Sequence, residues 1–119
     1  MKKNISVIGL GYVGSPLAVA LSSIKKKGKY LYNIFGLERN NSKGVSITKN
    51  FNKGKLVFNT SDNLLKKYLI SQIFKIKNLQ ATYDPNVIKK SDIILITIGC
   101  DLTNPKKFRK KFHSFVKTL

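Results

Sequence analysis

Ile5-Ser6-Val7-Ile8-Gly9-Leu10-Gly11-Tyr12-Val13-Gly14 decides how this chain folds. An apolar run that reads as a strand ends in three glycines spaced GxGxxG. Pro16-Leu17-Ala18-Val19-Ala20-Leu21 then reads as a helix. Strand, glycine turn and helix in that order form a dinucleotide-binding turn. The first glycine permits the tight turn, and the second lets the backbone approach a pyrophosphate. The third lets helix and strand pack closely, with the free N–H groups of the helix N-terminus facing the anion.

The same residues carry a competing pattern. Ile5 to Ile24 is uncharged and follows Lys2 and Lys3, long enough to cross a bilayer, and Ala18-Val19-Ala20 resembles a signal-peptidase site. Neither a span nor a signal peptide explains the spacing of Gly9, Gly11 and Gly14. The dinucleotide turn does, and it predicts an acidic residue at the tip of the next strand, about 20 residues on.

That acid is Glu38. Beyond the basic loop Lys25-Lys26-Lys27-Gly28-Lys29, the run Tyr30 to Leu37 reads as a second strand and ends at Glu38, the only glutamate in the chain. A carboxylate there accepts hydrogen bonds from the adenosine ribose hydroxyls. Arg39 raises the question of NADP, but a carboxylate at the same point repels a 2′-phosphate, so the expected cofactor is NAD.

Gly-Leu-Gly-Tyr-Val-Gly-Ser-Pro-Leu-Ala, residues 9–18, resembles the opening of the UDP-glucose/GDP-mannose dehydrogenase family, the NAD-dependent nucleotide-sugar 6-dehydrogenases. The resemblance continues through Gly36-Leu37-Glu38, where the family more often has aspartate, and through Lys43, five positions beyond the acid. Phe51-Asn52-Lys53-Gly54-Lys55 is similar to the family's turn before its next helix. Leu79 to Asp84 is similar to its third strand and Ser91 to Ile96 to its fourth.

The resemblance covers about the first 104 residues. It implies cofactor contacts from Gly9, Gly11, Tyr12, Val13, Gly14, Glu38, Lys43, Ile98, Gly99 and Cys100. At the last of these the family's threonine is replaced, so a hydroxyl role there is lost. The implied parent reaction is a two-step, four-electron oxidation of a UDP-sugar C6 hydroxyl to a carboxylate, for polysaccharide precursors. It uses two NAD molecules and a thiohemiacetal on cysteine, in a homodimer. Family members run to several hundred residues. By resemblance this chain is therefore a truncated member, without the substrate domain, with no catalytic residue and with NAD as its partner.

Cys100 is the only cysteine and His113 the only histidine. No intrachain disulfide can form, which suits a reducing cytoplasm, and no metal site is expected. Cys100 reads as an inert thiol, since no base motif accompanies it.

The remaining pattern is α/β. Thr60 or Ser61 is placed to cap a helix carrying Leu64, Leu65, Tyr68, Leu69, Ile73 and Ile76, and Asp84-Pro85 or Asn86 opens a short helix. Ile93 to Ile98 reads as a parallel strand covered on both faces. Residues 40–59 read as a linker, because Gly44, Val45, Ile47 and Thr48 are poor helix formers. The expected fold is a partial, doubly wound Rossmann domain over 1–104, its parallel sheet of about four strands ordered 3-2-1-4.

The formal charge is +18, from 23 basic and five acidic residues. Lysine makes up almost all of the excess, and no nucleic-acid-binding motif is present, so specific nucleic-acid binding is not expected. Codons rich in A and T would also produce this bias toward Lys, Asn and Ile. A non-catalytic nucleotide- or polyanion-binding module is the alternative reading. The basic tail 105–119 places Phe108, Phe112, Phe115 and Leu119 near one helical face. A crossover helix, a membrane-surface helix and an altered reading frame all fit it.

Overall fold

A computed structural model describes residues 2–98 and 105–117. Strand β1 (Lys3–Ile8) leads through the glycine turn into helix α1 (Gly14–Ser22). A small antiparallel ribbon, β2 (Lys25–Lys26) and β3 (Lys29–Tyr30), precedes β4 (Tyr32–Leu37). Helices α2 (Ser42–Asn52) and α3 (Asn63–Ile70) follow, the latter running into a π-helical turn, Ser71–Ile76. Strand β5 (Leu79–Thr82), a 3-10 segment (Pro85–Lys90), β6 (Ile93–Ile96) and α4 (Pro105–Lys117) complete the described chain.

The sheet is ordered β5-β4-β1-β6 and every pairing in it is parallel. Counting only its own strands, that is the expected 3-2-1-4 order. Residues 5–24 form a strand, a turn and a nine-residue helix rather than one continuous span. No helix among the described residues is long and apolar enough to cross a membrane.

Period-two alternation sorts the side chains. Ile5, Val7, Ile34, Leu79 and Ala81 point to one face, where they meet Ala18 and Val19 of α1, Phe51 of α2 and Leu69 of α3. Ile8 and Leu37 point to the other face, under Val87, Ile88 and Ile98.

At the end where the strands begin, a buried amide pair replaces apolar packing. The Gln72 Nε2 group donates to the Ser22 carbonyl at 2.6 Å and to Asn78 Oδ1 at 2.9 Å. Asn78 Nδ2 donates to the carbonyls of Ser22 at 2.8 Å and Tyr32 at 3.1 Å. Each carbonyl lies where a helix ends or a strand begins, so the pair satisfies backbone groups that burial would otherwise leave costly.

Four expectations are corrected. Residues 42–52 are helix, not linker. Asn41 caps α2 by accepting the Gly44 N–H at 2.8 Å, and Ile47 and Phe51 pack into the core. Gly44 has a steric reason: a Cβ there would run into the Arg39 carbonyl. The cap of α3 is Asp62, which accepts the Leu65 N–H at 3.0 Å, rather than Thr60 or Ser61.

The second strand starts at Tyr32, because Tyr30 belongs to the hairpin that turns at Lys27 (φ 53°) and Gly28 (φ 77°). Finally, β6 is not covered on both faces among the described residues: Ile93, Ile94 and Ile96 are each 40–44% exposed. It pairs with β1 alone, and the α1–α3 layer covers mainly β1, β4 and β5.

Candidate nucleotide-binding site

The glycine turn is built from three different steric needs. Gly9 adopts φ +96°, a left-handed conformation that L side chains rarely take, and its N–H donates to the Leu37 carbonyl at 3.0 Å. Gly14 has no room for a side chain. A Cβ there would overlap the Gly9 carbonyl and lie 2.5 Å from Thr97 Oγ1. Gly11 is the opposite case, since among the described residues a Cβ would meet nothing within 4 Å. Its surface faces open space, so the fold itself does not require a glycine at this position.

Between the first two glycines Leu10 points inward and is fully buried. Its side chain fills the space left by Gly36, where a Cβ would lie 2.5 Å from Leu10 Cδ2. Burying such a side chain contributes about 1.5–3 kcal/mol, and here it locks the turn onto the end of β4. That contact sets Glu38 beside the turn. Glu38 Oε1 accepts the Leu10 N–H at 2.7 Å, and the Glu38 N–H donates to the Thr82 carbonyl at 3.0 Å.

Two hydroxyls absent from the sequence expectations hold the other side. Thr97 Oγ1 lies 2.9 Å from the Ile8 carbonyl and 2.8 Å from the Gly9 carbonyl. Ser15 Oγ donates to the Leu10 carbonyl at 2.8 Å. The carbonyls of the turn are therefore engaged inward. Among the described residues the N–H groups of Gly11, Tyr12, Val13 and Gly14 donate to no protein acceptor. No acidic side chain occupies the first turn of α1. The site thus offers unpaired donors, the positive end of a helix, a glycine surface a side chain would fill, and a carboxylate alongside. Those features suit a dinucleotide, with the pyrophosphate on the N–H groups and the ribose on the carboxylate.

Of the expected contacts, Gly9, Gly11, Gly14 and Glu38 meet at this turn. Tyr12 and Val13 lie on it with exposed side chains, 78% and 67% accessible, so only their backbone belongs to the cradle. The Tyr12 ring stacks on Phe58, centroids 4.7 Å apart, which brings the α2–α3 loop to the turn. Lys43 is exposed in the first turn of α2, five residues past Glu38. Ile98 packs with Ile8 and Leu37 at the same end of the sheet. Gly99 and Cys100 lie outside the described residues. Among the described residues no three His, Cys, Asp or Glu side chains group together as metal ligands.

Thr97 and Ser15 left only faint signals in the sequence. Thr97 is the first hydroxyl after an aliphatic strand, and Ser15 directly follows the third glycine. Phe58 left none, since its partner is 46 residues away.

Residues 3–110 match the model of the UDP-glucose/GDP-mannose dehydrogenase family, NAD binding domain. The chain belongs to that family. Its α/β fold is the family's Rossmann-like domain, and the cofactor of that domain is NAD. The chain is 30% identical over 107 residues to Protein CapL of Staphylococcus aureus, covering 90% of this chain and 21% of CapL. It is also similar to the crystal structure of NDP-N-acetyl-D-galactosaminuronic acid dehydrogenase from Methanosarcina mazei Go1. There the identity is 27% and the TM-score 0.72, over 88% of this chain and 21% of that one. The chain therefore spans about a fifth of the length of each relative.

Proposed function

We propose that this chain is the NAD-holding part of a nucleotide-sugar 6-dehydrogenase that oxidises the C6 hydroxyl of a UDP-sugar to a carboxylate. The observation that carries the reading is the 2.7 Å hydrogen bond between Glu38 and the Leu10 N–H, which joins the acid to the glycine turn. In this reading the N–H groups of residues 11–14 bind the pyrophosphate. Glu38 keeps its second oxygen for the ribose hydroxyls, and Lys43 adds positive charge at the adenosine end. By the family resemblance Ile98, Gly99 and Cys100 also contact the cofactor, Ile98 from its place beside Ile8 and Leu37. The cofactor, when bound, supplies the hydride acceptor.

NAD is expected to bind more tightly than NADP, because Glu38 repels a 2′-phosphate. Calorimetric titration with both cofactors tests this, and equal or tighter NADP binding overturns the role of Glu38. Glu38→Ala should weaken NAD binding by about 1–3 kcal/mol, the range for hydrogen bonds to a charged group.

The 119-residue polypeptide is expected to bind NAD without turning over a UDP-sugar. The proposed chemistry needs a thiolate beside C6 and a pocket for the nucleotide diphosphate, and the match covers the NAD-binding domain. A ligand that binds only the folded state stabilises it by about 2.7 kcal/mol at a hundredfold excess over its Kd. NAD should therefore raise Tm while UDP-glucose and UDP-N-acetylmannosamine yield no NADH. Steady NADH formation that disappears in Cys100→Ser would place the nucleophile in this chain instead.

A further inference from the structure

The two ends of the sheet differ in charge. At the end where the strands finish, Glu38 and Asp84, with Asp62 at the start of α3, stand with Arg39 and Lys43, so both signs are present. At the opposite end every strand of the sheet is entered through exposed lysines. Lys2 and Lys3 stand at β1, the hairpin 25–29 with its four lysines precedes β4, Lys77 precedes β5, and Lys89 and Lys90 precede β6. The one acid among these described residues is Asp92, whose carboxylate is engaged by the Asn4 N–H at 2.8 Å.

Hydrogen bonds hold these lysine-bearing segments together. Leu31 N–H donates to the Ile24 carbonyl at 3.2 Å and Lys3 N–H to the Leu31 carbonyl at 3.1 Å, which fixes the hairpin beside β1. Asn4 Nδ2 donates to the Lys90 carbonyl at 3.1 Å, fixing the entry to β6. The Gln72–Asn78 pair ties Lys77 and its neighbours to Ser22 and Tyr32.

Apolar side chains stand at the same end. Ile24, which leads into the hairpin, is 41% exposed. Phe74, two residues beyond Gln72, is 53% exposed. One face of the Tyr30 ring is taken by Lys25 Nζ, 4.7 Å from its centroid. We propose that this lysine-rich end docks on an anionic lipid bilayer, leaving the nucleotide-binding end facing the aqueous side.

Lysine ammoniums are attracted to an anionic leaflet within a Debye length, while Ile24 and Phe74 gain by entering the headgroup–acyl boundary. A nucleic-acid backbone gives those two side chains nothing. It would be better met by arginine forks, and Arg39, next to Glu38, stands at the opposite end.

Flotation of the full 119-residue chain with phosphatidylcholine vesicles, with and without 30% phosphatidylglycerol, tests the proposal at about 0.1 M salt. Binding is expected only with phosphatidylglycerol, and it should be lost at high salt. Lys26→Gln with Lys29→Gln, on facing hairpin positions, should lower partitioning by about thirtyfold. NAD affinity should not change, because the hairpin is at the far end from the glycine turn. Phe74→Ser should weaken vesicle binding and leave retention on a heparin column unchanged.

Lys49→Gln with Lys66→Gln makes the same change in net charge on the helices. An equal loss of vesicle binding in that pair would show a net-charge effect and overturn the docking face. Tighter binding to a duplex oligonucleotide than to the anionic vesicles would overturn the choice of a bilayer.

Discussion

Gly14→Ala is expected to lower the stability of this domain by about 3 kcal/mol, at the upper end of ordinary overpacking. The added methyl would overlap the Gly9 carbonyl and press on Thr97 Oγ1. A flexible side chain could swing aside, but here the main obstacle is backbone. Gly9 cannot retreat, because its N–H is bonded to the Leu37 carbonyl and its carbonyl is held by Thr97. The helix cannot lift without uncovering Ala18 and Val19, both buried against the sheet. For a domain of this size the loss corresponds to a fall in Tm of roughly 10–15 °C. Thermal melts followed by circular dichroism check it, and a variant melting within a few degrees of the parent would mean that the turn is looser than its geometry.

This result bears on what could be read from the sequence. The three glycines of the turn look alike as letters, yet one serves backbone conformation, one close packing and one an open surface. The motif reading assigns those roles because each follows from local geometry. Glu38 was legible for a related reason: the length of one βαβ unit dictates where the second strand ends.

Residues 40–59 were not legible, because the support for α2 is tertiary. Gly44 and Thr48 are poor helix formers, but Gly44 leaves space for the Arg39 carbonyl and Thr48 returns a hydrogen bond to the Gly44 carbonyl at 2.8 Å. Neither partner can be inferred from helix propensity. The same holds for Phe58 on Tyr12 and for Asn52. The Asn52 amide pairs with both backbone groups of Ala81, at 2.9 and 2.8 Å, and so blunts the open edge of β5. The β6 expectation failed differently. An aliphatic run implies burial, but which face is covered depends on neighbours the run does not specify.

Gly11→Val should leave the fold intact and weaken NAD binding at least a hundredfold, about 2.7 kcal/mol. Among the described residues no atom lies within 4 Å of a Cβ at this position, so nothing described there gives the variant a steric reason to unfold. That absence is itself informative. A glycine that packing does not require, beside four N–H groups with no protein acceptor among the described residues, is explained by a ligand that comes close to the backbone. A pyrophosphate oxygen accepting from those N–H groups must sit about 2.9 Å from the nitrogens, and the two methyls of valine would fill that space. Circular dichroism and calorimetry on the same sample separate the two parts of the expectation. A folded variant that binds NAD normally would place the phosphate site elsewhere. An unfolded one would assign Gly11 to the fold rather than to the cofactor.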